Sequence, residues 1–294
     1  MRIVYLDETY LDEGVALMAK YNKEKRYKIG YCSLKPNSIR KDLIESFEDE
    51  ENKTIGMIEQ GKLIGIIDLQ VDLEKQVIEM IGPFIDREQD KEWLSIANEM
   101  CQFIFEAFGF TYKYLFFIHQ ENQINKKLLE NLGATSRGHE YVLELKKENV
   151  KVQLLPKEIV EVGQNVYKEV QAFHDTLWPG VYYSGKQIIE KLTRGYQLFI
   201  AKNNQELEGY VFVQKQLEAE SGYIHFLAVK EGYRKQGIGK ALLTKVIEYL
   251  FKESQIKKIS LCVEVLNEAA MQLYYDVGFE VENAYTAYQI QNKE

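Results

Sequence analysis

Residues 231–243 read EGYRKQGIGKALL. Gly237 and Gly239 stand one residue apart, behind Arg234 and Lys235 and beside Lys240. The run GYIHFLAV at 222–229 has strand composition, and a helical pattern begins near Ile238. Strand, glycine loop and helix in that order make an anion site, because unpaired amides and the helix dipole point at whatever sits on the helix start. Glycine lets the main chain approach a phosphate with no Cβ in the way, and the basic side chains add charge. The chemistry expected is binding of a pyrophosphate or a similar anion. Two nucleotide motifs fail on spacing. Arg234 stands where a P-loop has its first glycine, and Ala241 follows Lys240 in place of Ser or Thr. Leu242 occupies the third glycine position of a dinucleotide fingerprint. Taken alone, the loop is equally compatible with a plain strand-to-helix turn carrying a solvated basic cluster.

A second pattern follows it, NEAAMQLYYDVGF at 267–279. Together with LAVKEGYRKQGIGKALL it resembles the GNAT acetyltransferase superfamily. The family's R/Q-x-x-G-x-G/A signature is met by Arg234, Gly237 and Gly239 after a strand ending Leu-Ala-Val. Its N-x-x-A-x-x-L-Y-x-x-x-G-F signature is met by Asn267, Ala270, Leu273, Tyr274, Gly278 and Phe279. The resemblance covers residues of about 152 to 290 and reaches the first half only as a degenerate copy.

The resemblance implies acetyl-CoA as the cofactor. Arg234, Lys235, Gln236, Gly237, Ile238, Gly239, Lys240 and Ala241 would hold its pyrophosphate, mainly through backbone amides. The main chain of Leu227, Ala228 and Val229 would pair with the pantetheine arm, as an exposed strand edge can. Asn267 would touch the cofactor as well as cap its own helix. Tyr274 would be the general acid, since a phenol with a pKa of roughly 10 can protonate a departing thiolate. His225 is the candidate base, with Glu220, Glu264 or a chain of waters as alternatives; alternation puts its side chain on one face with Tyr223 and Leu227. Attack would be direct, in a ternary complex, with no covalent enzyme intermediate; Cys262 reads as core. The segment HDTLWPGVYYSGK at 174–186 lies where the family walls its acceptor pocket. There Trp178, Tyr182 and Tyr183 would grip a substrate and Asp175 would hold an ammonium, the alternative being simple loop packing.

The activity so implied is acetyl-CoA-dependent N-acetyl transfer to a primary amine of a small molecule. One alternative keeps the reaction and takes a protein N-terminus or lysine as acceptor. Another, of a different class, is a non-catalytic acyl-CoA-binding sensor. The formal charge of -8 disfavours nucleic acid as a partner. The N-terminus lacks a signal peptide's apolar region, and no run reaches transmembrane length. Cys32, Cys101 and Cys262 give neither a disulfide framework nor metal spacing. A cytoplasmic monomer or homodimer, with no metal and no membrane contact, is expected.

These residues need positioning elements. The second half reads as a helix at 157–173 through Ile159, Val162, Val166, Val170 and Phe173, strands at 196–202, 207–215, 222–229 and 258–265, helices at 238–253 and 267–279, and a last strand at 284–290. The first half repeats this order at a fixed offset of 145 residues, which pairs Asn122 with Asn267, Leu128 with Leu273, Gly133 with Gly278 and Phe84 with Val229. The expected fold is α/β of the α+β type: two tandem GNAT-like domains, 1–148 and 152–294, each a mixed, mostly antiparallel sheet flanked by helices, joined by the charged linker KKENVK at 146–151. At the same offset Gly237 becomes Glu92, Gly239 becomes Leu94, Lys235 becomes Asp90 and Tyr274 becomes Leu129. The first domain is therefore expected to bind no CoA and to act as a scaffold.

Overall fold

The computed structural model describes residues 1–151, 159–161, 166–193, 195–203 and 206–291. It divides into two compact units. Unit 1 comprises residues 1–140 together with the final strand from Ala284, and unit 2 comprises residues 141–283.

Unit 1 contains β1 (Arg2–Tyr5), α1 (Leu11–Asn22), α2 (Pro36–Glu48), β2 (Lys53–Glu59), β3 (Lys62–Asp72), β4 (Val77–Ile85), α3 (Asp90–Phe108), β5 (Lys113–His119) and α4 (Gln123–Asn131). β6 (Thr135–Lys146) begins in unit 1 and ends in unit 2. Unit 2 continues with β7 (Ile159–Glu161), α5 (Tyr167–Leu177), α6 (Gly185–Glu190), β8 (Tyr196–Asn203), β9 (Glu206–Gln216), β10 (Ser221–Val229), α7 (Ile238–Phe251), β11 (Lys258–Glu264) and α8 (Glu268–Val277). β12 (Glu280–Ile290) closes the chain's elements.

In unit 1 the strand order is β1-β2-β3-β4-β5-β12-β6, with β4 and β5 parallel and β1–β2, β2–β3, β3–β4 and β5–β12 antiparallel. In unit 2 it is β6-β11-β10-β9-β8-β7, with β10 and β11 parallel and the β10–β9, β9–β8 and β8–β7 pairs antiparallel. The strand from Ala284 thus belongs to unit 1, where Tyr285 pairs with His119 and Ile290 with Tyr114. A boundary at 148–152 follows the sequence repeat but not the compact units, and a fragment ending at 148 lacks this strand. The charged stretch at 146–151 is also no free linker. Lys151 N donates to Val277 O at 3.1 Å, and Asn149 O lies against Gly278.

Period-2 patterning builds the unit 2 sheet. Phe199, Ala201, Val211 and Val213 face α7, whereas the alternate residues Leu198, Ile200, Tyr210 and Phe212 face the side of Val170 and Ile188. On α7, Leu242, Val246 and Leu250 are fully buried at the helical spacing of one apolar face, each worth about 1.5–3 kcal/mol relative to exposure. The helix expected over 157–173 begins only at Tyr167. Ile159–Glu161 instead pairs antiparallel with β8, while Val162 lies outside the described residues.

The offset of 145 residues reappears as geometry. Asn122 caps α4 by accepting from Asn125 N at 3.1 Å, and Asn267 caps α8 by accepting from Ala270 N at 3.2 Å. Gly133 and Gly278 end the two helices in the left-handed region, with φ of +71° and +106°. Their surroundings differ. A Cβ on Gly278 would lie 2.1 Å from Asn149 O, whereas one on Gly133 meets nothing within 4 Å. Gly133→Ala should therefore cost only the left-handed penalty of about 1–2 kcal/mol, and Gly278→Ala about 1–3 kcal/mol more for the clash. Urea midpoints of the two variants check this order; equal shifts would contradict it.

Candidate active site

Strands β10 and β11 pair in parallel only from Ser221–Lys258 to Ile224–Leu261. Beyond that point no pairing continues between them, while β10 stays paired to β9 as far as Val229–Gly209. Leu227, Ala228 and Val229 therefore keep one laddered side and turn the other toward the gap. The same splay occurs in unit 1, where β4 and β5 pair only from Val77–Lys113 to Glu79–Leu115.

The β10–β9 ladder is interrupted between Ile224 and Phe226, which pair with the consecutive residues Val213 and Phe212. His225 is the extra residue of this bulge. Ile224 packs with α7, but Phe226 packs with the opposite cluster, and Leu227 returns to the α7 side. His225 does not share a face with Leu227, as simple alternation suggested; it stays with Tyr223, their rings 4.8 Å apart.

Below the splay lies the loop. α7 begins after Gly237, whose φ is +80°, and Lys235 is also left-handed at +60°. The first bond of the helix runs from Ala241 N to Gly237 O at 2.9 Å. The amides of Ile238, Gly239 and Lys240 precede it and have no partner within the helix. Ile238 is buried and anchors the turn. A Cβ on Gly239 would lie 3.0 Å from Leu273 Cδ2 and 3.9 Å from Leu227 Cδ2, so this glycine keeps the loop, the strand edge and α8 close together. Arg234 folds back, its Nε donating to Val229 O at 3.2 Å, and Gln236 Nε2 donates to Gly232 O at 3.2 Å. Lys235 is exposed and Lys240 half-buried.

Tyr274 on α8 is 7% exposed, and its ring meets Phe279 at 5.6 Å. Burial pushes its phenol up to about 12, so the proton stays on at neutral pH. Among the described residues the hydroxyl makes no hydrogen bond. Asn267 is engaged as a helix cap.

The residues expected to wall an acceptor converge on the other side of β10. Tyr182 stacks on Phe226 at 5.0 Å and meets Tyr183 at 4.8 Å. The Tyr182 hydroxyl lies 3.1 Å from His225 Nδ1, and His225 Nε2 lies 3.1 Å from Gln214 Oε1. An amide oxygen only accepts, so Nε2 carries the proton and Nδ1 accepts from Tyr182. Burial, and then the Lys191 charge, push His225 down to about 3. Such an imidazole is a poor proton acceptor from an ammonium ion. Trp178 packs on Phe226 and His174, at 5.2 and 5.3 Å, as part of the wall. Asp175 is diverted: its Oδ1 accepts from Gly185 N at 2.6 Å and ties α5 to α6. Glu220 pairs with Lys257 at the far end of β10. Glu264, at the end of β11, is exposed, and Cys262 is half-buried rather than core. Burial, and then Tyr223, Tyr183 and Cys262, raise the Tyr182 phenol.

Sequence reading missed four partners in this cluster. Gln214 sets the His225 tautomer. Tyr196 stacks on Phe212 at 5.4 Å with its hydroxyl 3.4 Å from that of Tyr183. Lys191 lies over the Tyr183 ring, 4.5 Å from its centroid. His174 is fully buried, linking the Tyr210 hydroxyl at 2.5 Å and Tyr183 O at 2.8 Å. None carries a local motif; only the fold gathers them.

The equivalent turn in unit 1 is filled with charge pairs. Asp86 accepts from Lys20 at 2.8 Å and from the Tyr21 hydroxyl at 2.5 Å, which holds its carboxyl below the usual range. Arg26 pairs with Asp90, and Arg87 with Glu59 and Glu92. The turn has no left-handed residue, and α3 opens on Asp90 and Glu92. Unit 1 also encloses a cavity of about 120 Å³ lined in part by Asp42 and Asp68; burial pushes Asp42 up to about 6. Both features are adverse to a phosphate. Among the described residues no group of three or more His, Cys, Asp or Glu is arranged to hold a metal ion, and no helix is long and apolar enough to cross a membrane.

The sequence model of the acetyltransferase (GNAT) family matches residues 165–279. N-alpha-acetyltransferase 30 of Xenopus laevis is 33% identical over 84 residues, which are 28% of this chain and 30% of that protein. The match thus spans less than a third of that relative's length. A GCN5-related N-acetyltransferase from Sphaerobacter thermophilus superposes with a TM-score of 0.76 at 12% identity, covering 98% of this chain and 95% of that one. A tandem GNAT protein from the clavulanic acid biosynthesis pathway gives 0.72 at 11% identity, covering 100% and 99%. At these identities the likeness is one of fold, and it extends over both units.

The tautomer and burial of His225 yield a direct check. Its imidazole should stay neutral, with the proton on Nε2, from about pH 8 to about pH 5 by nitrogen NMR. A midpoint above about pH 5 would contradict the assignment. Because the folded pKa is depressed from 6.5 toward 3, the corresponding share of stability is present above about pH 6.5 and is lost as pH falls below it.

Proposed function

We propose, from the premise that residues 165–279 form an acetyltransferase (GNAT) family domain, that unit 2 transfers an acetyl group from acetyl-CoA to a primary amine of a small molecule. What supports this is an open strand edge at Leu227–Val229 beside the outward amides at Gly237–Lys240, with Gly239 lying against Leu227 and against Leu273, the α8 residue that precedes the buried Tyr274.

In this reading the pyrophosphate sits on the start of α7, where amides and dipole favour it, with Lys235 and Lys240 supplying charge. Leu227–Val229 would pair with the pantetheine arm as with a neighbouring strand, and Asn267 would touch it as well as cap α8. Acetyl-CoA held there would supply the acetyl group as a thioester. The neutral amine attacks, its nitrogen bonds to the acetyl carbon, and the carbon–sulfur bond breaks. Tyr274 would give its proton to the departing thiolate and would be reprotonated, through water, by the surplus proton of the amine. His225 acts as a positioning residue: by accepting from Tyr182 it turns the lone pairs of that phenol toward the amine N–H. Trp178, Tyr182 and Tyr183 wall the acceptor side. Trp178 and Tyr183 are half-buried and Tyr182 is exposed; this aromatic wall supports a small amine, and a protein N-terminus or lysine is the second reading, favoured by the relative matched over 84 residues, which is an N-alpha-acetyltransferase.

Unit 1 acts as a scaffold. Its equivalent turn opposes the acid of Asp90 and Glu92 to any phosphate, and Leu129 stands where unit 2 has its tyrosine.

Two variants test the assignment. Tyr274→Phe should lower kcat by about a hundredfold or more while the affinity for acetyl-CoA stays within about twofold; unchanged turnover removes the phenol from the reaction. Gly239→Glu should weaken acetyl-CoA binding at least about tenfold by calorimetry, because its Cβ meets Leu273 at 3.0 Å and its charge opposes the phosphate. Unaltered binding in that variant would move the pyrophosphate elsewhere.

A further inference from the structure

We infer that the amine accepted by unit 2 carries an anionic group of its own, and that Lys191 selects it. This rests on the acetyl-transfer reading and adds the charge of the acceptor to it.

The argument starts from hydrogen-bond capacity around His225. Tyr182 spends its proton on His225, whose Nδ1 lies at 3.1 Å and backbone oxygen at 3.4 Å, so what it offers a ligand is an acceptor. That end of the cluster suits an amine N–H. The other end has the opposite polarity. The Tyr183 and Tyr196 hydroxyls are 3.4 Å apart. Two hydroxyls that share one hydrogen bond leave one proton unspent, so the pair still has a donor for a ligand. Lys191 lies over both rings, at 4.5 Å from the Tyr183 centroid and 5.3 Å from that of Tyr196. Both rings also touch His225, at 5.5 and 5.6 Å. A cation and a hydroxyl donor thus converge one ring away from the amine end.

No carboxylate among the described residues neutralises that cation. Neighbouring lysines are paired: Lys186 with Glu190, Lys215 with Glu253 and Lys230 with Glu169. The Lys191 ammonium has no ion pair among the described residues; it lies over the Tyr183 and Tyr196 rings. Gln214 is neutral, and Asp175 is turned to the Gly185 amide. The field of Lys191 reaches the cluster, since it is the second cause, after burial, that keeps His225 unprotonated. A second ammonium on the acceptor would be repelled; a carboxylate or phosphate on it would meet Lys191 and the free hydroxyl.

The test compares acceptors that share a short aliphatic body and differ at the far end: 4-aminobutyrate, 3-aminopropyl phosphate, n-butylamine and 1,4-diaminobutane, each assayed by thiol release with saturating acetyl-CoA. For the native protein, kcat/KM for the better anionic amine should exceed that for n-butylamine at least about tenfold, chiefly through KM, with the diamine lowest. The carboxylate and phosphate arms decide which anion fits. Lys191→Arg should keep the order, Lys191→Met should bring the anionic and neutral amines together, and Lys191→Glu should favour the diamine. A native ratio near one, or a ratio unchanged in Lys191→Met, overturns the inference. If no amine in a broad panel releases thiol, the acetyl-transfer reading fails by itself. Saturation-transfer NMR of 4-aminobutyrate then decides the charge question: a signal with the native protein that Lys191→Met loses supports it, and equal signals or none overturn it.

Discussion

Parallel strands are held by evenly spaced hydrogen bonds along their whole length, and β10 and β11 abandon theirs after Ile224–Leu261. Everything proposed for unit 2 depends on that early parting. Had the ladder continued, Leu227–Val229 would have had no edge to offer. The separation is kept by what packs on either side. Leu242, Val246 and Leu250 bind α7 to one face of the sheet, while Phe226 and Ala228 bind the other face to the aromatic cluster. The bulge at His225 lets one strand serve both, because it shifts the side-chain alternation in mid-strand.

The two units have the same parting of strands but opposite chemistry at the helix beneath it. In unit 2 a left-handed glycine turn leaves amides outward and lysines nearby. In unit 1 the turn is closed by Lys20–Asp86, Arg26–Asp90 and Arg87–Glu92 pairs. Exposed pairs of this sort contribute little to stability; their consequence here is electrostatic, since the helix start already holds its own carboxylates. The repeat has kept the architecture, the asparagine caps and the terminal glycines, and has replaced the residues an anion needs.

Much of this was legible in the sequence because it is periodic or punctuated. The α7 pattern, the caps at Asn122 and Asn267, and the glycines at 237, 239 and 278 each announce a local conformation. Three features were not. The bulge changes the face of Phe226 without any change in residue type, so alternation misassigned His225 relative to Leu227. Ile159 and Val166 fall at a helical spacing, yet Ile159 finds a strand partner in Ala201. The final strand has the same sequence whichever sheet it joins; its pairing with β5 is a long-range choice that no local pattern encodes. The acceptor cluster was half legible: the aromatic run at 178–183 stood out, but Gln214, Tyr196 and Lys191 acquire meaning only when the sheet brings them to His225.

Amide hydrogen exchange with and without acetyl-CoA measures the central claim most directly. Slowed exchange confined to the edge at 227–229 and the turn at 236–241, with residues 86–92 of unit 1 unaffected, is the predicted result. Protection centred on 86–92, or none at 236–241 at saturating cofactor, would contradict it.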